Sequence, residues 1–130
     1  MNKNELEKRT KQFALDALQW VSSIRTDRSS DVLCRQFLRS ATSIGANYRE
    51  ANRAESKDDF IHKIALVEKE ASETAYWLEL MEGIALGEPQ KRSAMRKESG
   101  ELLSIFCAIG KTAKRNRNLY TGKLTLRKPK

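Results

Sequence analysis

The sequence predicts an all-α fold: a left-handed, up-down-up-down four-helix bundle, one domain over 1–115 with a basic tail over 116–130. Three observations point there. Apolar residues recur at three- and four-residue steps through four segments, about 4–24, 31–53, 57–86 and 89–114. Only two prolines and six glycines occur in 130 residues, and 32% of the chain is charged, which favours helices over a strand-rich sandwich. The segments are joined by short polar runs, so successive helices must double back on one another.

The first segment keeps its rhythm through Leu6, Thr10, Phe13, Ala17, Val21 and Ile24, with Leu18 and Trp20 widening the face. RTDRSS (25–30) is turn-prone, and Ser29, Ser30 or Asp31 is available to cap the second helix. That second helix organises the chain. Leu33, Phe37, Ala41, Ile44, Tyr48 and Ala51 form an apolar stripe; Gln36, Ser40, Ser43, Asn47 and Glu50 a short polar one; Arg35, Arg39, Thr42, Ala46, Arg49 and Arg53 a mostly basic one. A helix dressed in three ways has more than one neighbour.

Ser56 reads as the cap of the third helix, because Asp58 and Asp59 then fall in its first turn, where negative charge complements the helix dipole. Phe60, Ile64, Val67, Ala71, Ala75, Leu78 and Met81 make its core stripe. A second stripe, Leu66, Glu70, Glu73, Trp77, Leu80 and Ile84, sets two carboxylates among large apolar groups. Gly87 reads as the stop, and Pro89 as the first residue of the fourth helix. That helix carries Met95, Leu102, Phe106, Ile109 and Ala113. Beyond Arg115 the periodicity is lost, and the remainder reads as a flexible appendage.

The net charge of +8 is unevenly placed. No acidic residue follows Glu101, and Lys111, Lys114, Arg115, Arg117, Lys123, Arg127, Lys128 and Lys130 account for the whole excess. A neutral body with a basic end points to RNA or DNA contact through that end. Arg49 and Arg53, near the end of the second helix, join the candidate phosphate ligands. Arg39 lies inside the apolar run and faces a third helix rich in carboxylates, so it is assigned with Ser43, Asn47, Glu70 and Glu73 to a partly desolvated structural polar site. Trp77, Leu80 and Ile84 exceed what a lone bundle covers and are assigned to a homo-oligomer interface.

Little here resembles catalysis. His62 is the only histidine and lies among Phe60, Ile61 and Ile64. Glu70 and Glu73 lack the Glu-x-x-His partners of a di-metal bundle. Cys34 and Cys107 have no metal-like spacing and read as reduced thiols. No apolar run approaches the roughly 18 residues of a membrane span, and the charged N-terminus does not read as a signal peptide. The expectation is a cytoplasmic non-enzyme with no cofactor, no metal and no membrane partner.

SATSIGANYREANRAESKDDFIHKIALVEKEASETAYWLELM (40–81) resembles the core of the four-helix-bundle proteins encoded in intervening sequences of bacterial 23S rRNA genes. The resemblance spans about Phe13 to Lys114 and extends to the accessory variability determinant of diversity-generating retroelements. It rests on Arg39, Ser40, Ser43, Asn47, Glu50, Ser56, Phe60, Lys63, Glu70, Glu73 and Trp77. Many members have proline where this chain has Gly45, which leaves the course of the second helix open there. The resemblance implies a pentameric ring and, through the retroelement branch, a nucleic acid or reverse transcriptase as partner. Two classes follow: an RNA-binding or ribonucleoprotein-associated ring, or a protein-interaction scaffold without nucleic acid.

Overall fold

In the computed structural model, which describes the backbone of residues 1–127 and the side chains of residues 1–119, four helices pack antiparallel in chain order: α1 (Lys3–Ser22), α2 (Arg28–Ala51), α3 (Lys57–Gly83) and α4 (Pro89–Arg127). No strand occurs among the described residues. The most extensive seam is α2 on α3, followed by α3 on α4 and α1 on α2, while α1 and α4 close the bundle with the least contact.

The core follows the apolar stripes. Phe13, Phe37, Ile44, Ile64, Val67, Leu78, Leu102 and Phe106 are sealed from solvent. Two edge-to-face pairs tie elements together: Trp20 of α1 on Phe37 of α2, and Tyr48 of α2 on Phe106 of α4. Gly45 lies within an uninterrupted α2. A Cβ there would stand 3.1 Å from the Thr10 hydroxyl, so the missing side chain lets α1 and α2 approach closely.

Three helix ends differ from the sequence expectation. Asp27, not Ser29, Ser30 or Asp31, caps α2: its carboxylate accepts from the Ser30 amide at 2.9 Å, and the Ser30 hydroxyl accepts from the Asp27 amide at 2.9 Å. A reciprocal box of this kind is closed by serine as well as by glutamate. Helix α3 stops at Gly83 rather than near Leu86. Ala85 adopts a left-handed φ of 52°, the Leu86 amide donates to the Met81 carbonyl, and the Ala85 amide to the Glu82 carbonyl. This is a Schellman stop with alanine where glycine is usual. Gly87 serves another purpose, since its φ is 75° and a Cβ would meet the Trp20 ring at 2.9 Å. Ser56 and Pro89 take the places expected of them.

The largest difference is at the C-terminus. Residues 116–127, read from the sequence as a flexible appendage, continue α4 as helix. Lost amphipathicity does not end a helix once it is nucleated, because each added residue costs little and Lys, Arg and Leu are good helix formers. An ion pair from Arg117 to Asp58 at 3.2 Å holds α4 against the first turn of α3, and the residues after it continue past that turn. Lys128, Pro129 and Lys130 lie outside the described residues.

Candidate nucleic-acid interface

Antiparallel packing decides which side chains share an end. The start of α1, the end of α2, the start of α3 and the later turns of α4 meet at one pole. There Lys3, Ala51, Asn52, Ser56, Phe60, Ala113 and Asn116 border a hollow of about 450 Å3. The pole gathers Arg53 of the α2–α3 turn with Lys114, Arg115 and Arg117 of α4, and Lys111 lies about one turn back along α4. Arg53, Lys111, Lys114 and Arg115 are exposed and make no ion pair among the described residues. Arg117 is occupied by Asp58. Arg49 lies 3.9 Å from Glu7 of α1, whose carboxylate also accepts from Asn52 at 2.8 Å, so Arg49 is turned toward the bundle side. Lys123 and Arg127 lie on the last turns of α4, and their side chains, like Lys128 and Lys130 entirely, are outside the described residues.

Sequence reasoning missed Lys3 and Lys57, which line the same hollow. The signal was available. In an up-down bundle the starts of odd helices lie beside the ends of even ones, so a lysine opening α1 and another opening α3 belong to the pole of α4's basic turns.

The polar site on the α2–α3 seam differs in composition and exposure from the expectation. Arg39 reaches across with its whole fork: Nη1 donates to Glu70 at 3.2 Å, Nη2 to Glu73 at 2.5 Å, and Nε to Gln36 at 3.4 Å. Yet its side chain is 49% exposed, against 15% for Glu70 and 33% for Glu73, so the guanidinium is not desolvated. Leu38 and Ala41 flank Arg39 in sequence but lie about 100° and 200° around the helix, and neither covers it. Ser43 does not join the network, since its hydroxyl donates to the Arg39 carbonyl at 2.6 Å. Asn47 makes no hydrogen bond to it. The buried polar contact on this seam is instead Thr74 donating to Ser40 at 2.8 Å, with both residues sealed. Arg39 holds the Glu73 carboxyl below the usual carboxylate range, and Glu73 in turn raises the guanidinium.

A second arginine clamp went unread. Arg9 of α1 grips Glu98 of α4 bidentately, Nε to Oε2 at 2.7 Å and Nη2 to Oε1 at 2.6 Å, with Glu101 at 3.3 Å. Glu98 is the main cause of a raised Arg9 guanidinium. The clamp spans the sparsest seam of the bundle.

At the edge of α3, Trp77 is half-buried and packs against the core, while Leu80 and, just past the helix end, Ile84 are 38% and 58% exposed, and the Tyr76 ring lies tilted against Trp77 at 5.3 Å between ring centroids. His62 is exposed, Cys34 is buried and Cys107 half-buried, both as free thiols. No cluster of three metal-binding side chains occurs among the described residues, and no described helix is long and apolar enough to cross a membrane.

Residues 2–107 match the family model described as "23S rRNA-intervening sequence protein". Among solved structures, a protein of unknown function from the S23 ribosomal protein family of Bacteroides thetaiotaomicron is 33% identical. The match covers 85% of this chain and 99% of that one, with a TM-score of 0.73. A comparison with curated proteins gives no match.

Proposed function

This chain belongs to the 23S rRNA-intervening sequence protein family, and from that premise we propose that it is a non-enzymatic RNA-binding bundle acting as a homo-oligomeric ring. The observation that carries the reading is the gathering of unpaired cations, Arg53, Lys114 and Arg115 among them, at the pole where α4 continues past the bundle. A phosphate backbone answers such a surface by releasing its counterions.

Self-association has its own support. Tyr76, Leu80 and Ile84 expose a ribbon of apolar side chain along α3 beside a half-buried Trp77, where one bundle leaves it open to water. This ribbon also supports the second reading, a protein-interaction scaffold. RNA binding separates the two.

If about six phosphates are met, log affinity for a mixed RNA pool falls with log salt at a slope of about −4 to −5. A chain ending at Ala113, which loses Lys114, Arg115, Arg117 and the four basic residues beyond, should lose most of that affinity and flatten the slope. Equal binding by both chains would overturn the assignment of the pole.

A further inference from the structure

We infer that the hollow at the basic pole is a seat for an unstacked base of single-stranded RNA, with Phe60 as the stacking platform. The inference rests on the RNA-binding reading and narrows it from a charged surface to a strand with splayed bases.

Phe60 sits one turn into α3 and is half-buried. Phe60 borders two hollows, one of about 450 Å3 toward α1 and the α2–α3 turn, the other of about 360 Å3 along α4. Both share Phe60, Ala113 and Asn116. Each volume lies within the range of about 300–1,000 Å3 typical of small-ligand sites. The room comes from small residues, since Ala51, Ala54 and Ala113 stand around the first hollow where larger side chains would fill it.

Phe60 differs in placement from the other described aromatics. Phe13, Trp20, Phe37, Tyr48 and Phe106 are buried in the core, Trp77 packs against it from the edge of α3, and Tyr76 is exposed beside Trp77, so none of these borders the hollows at the basic pole. A half-covered ring beside open space and cations is the arrangement by which single strands are held without reading a duplex groove. Asn116 supplies an exposed amide on the shared edge, with no hydrogen-bond partner among the described residues, and an amide offers both donor and acceptor to a base edge.

The surrounding charge suits a strand passing over the ring. Lys3 lines the first hollow, while Lys114 and Arg115 lie about 100° and 200° around α4 from Ala113, so they border neither hollow and meet only the strand that leaves it. Of the nearby carboxylates, Asp58 is taken by Arg117 at 3.2 Å and Asp59 by Lys63 at 3.3 Å, while Glu55 lies on the rim as the opposing charge. A regular duplex keeps its base faces stacked inside and has none to offer a concave aromatic site along its length.

The test uses the full chain and three probes of equal length: a single-stranded RNA, the same backbone with abasic sites, and a duplex. Stacking predicts that the base-bearing strand binds about 5- to 100-fold more tightly than the abasic one. Phe60→Leu keeps apolar bulk against the core but removes the π-face. It should erase that preference while leaving duplex affinity and salt slope unchanged. Phe60→Trp should retain the preference. Equal wild-type binding of base-bearing and abasic strands, or a preference that survives Phe60→Leu, overturns the inference and leaves the charged pole standing. Failure of all three probes to bind overturns the RNA reading and this one with it.

Discussion

Two arginines that look alike in sequence have different weights in the structure. Arg9 is 26% exposed and holds Glu98 with two short parallel bonds across the α1–α4 seam. Arg39 also holds two carboxylates, but half of it stands in water, where ion pairs contribute about 0–1 kcal/mol. Arg9→Ala should therefore cost about 1–2 kcal/mol in thermal unfolding, with Arg9→Lys recovering only part because the planar fork is gone. Arg39→Ala should cost under about 1 kcal/mol. A larger loss at Arg39 than at Arg9 would reverse this ranking. That Arg39, Glu70 and Glu73 would meet was legible in the stripes of α2 and α3. Their exposure was not, because flanking apolar residues in a helix point elsewhere. The Arg9 clamp was beyond the sequence altogether, since it depends on how α1 and α4 are set against each other lengthwise.

Carboxylates also set the acid limit at this scale. Glu73 is held low by Arg39, Asp27 by the Ser30 amide and hydroxyl, and Asp59 by the Glu55 amide and Lys63. A depressed carboxyl stabilises the fold when ionised. Its contribution is complete above the unfolded value, about 4, and is lost as pH falls through the lower folded value. Melting temperature should be level from neutrality to about pH 5 and fall below about pH 4. Arg39→Ala should make that fall shallower.

Among the elements, helix number and the Ser56 and Pro89 starts could be read directly, because each has a cap residue or a ring constraint with few competitors. The start of α2 was harder, since TDRSSD offers several capping side chains and only the backbone at Asp27 decides among them. The end of α3 was hidden for a related reason. Alanine gives no hint of a left-handed φ, yet Ala85 carries one at 52°. Such a residue costs about 1–2 kcal/mol relative to its right-handed form. Ala85→Gly should thus raise stability by about 1 kcal/mol, roughly 3 to 5 °C in melting temperature, with the helical signal unchanged. A lowered melting temperature would mean that the Ala85 methyl makes a contact worth more than its strain. Helix α4 outran its apolar pattern because propagation needs only backbone bonds, and pattern-reading registers burial rather than helicity.

For the whole molecule, the exposed ribbon of α3 and the charged pole belong to different surfaces, so assembly and RNA binding should be separable. Light scattering should give a mass several times the 14.9 kDa protomer. Leu80→Lys with Ile84→Asp should bring it toward one protomer while circular dichroism stays helical, since both side chains are exposed in the single bundle. A double variant that keeps the assembled mass would place the interface elsewhere. In a closed ring with cyclic symmetry every pole would lie on the same side, and the cations of several copies would act on one strand at high effective concentration.

The concentration of all net charge beyond residue 110 has a colloidal consequence. A particle with balanced charge has little long-range repulsion to keep its copies apart near neutral pH. The cations from Lys111 onward should therefore keep the protein dispersed, whether or not they meet phosphates. A protease that removes the chain from Lys111 onward takes all eight excess cations, and would leave the four-helix body largely in place while converting a cation of isoelectric point about 9.7 into a nearly isoelectric particle. Such a nick should be visible first as turbidity, before any loss of helix.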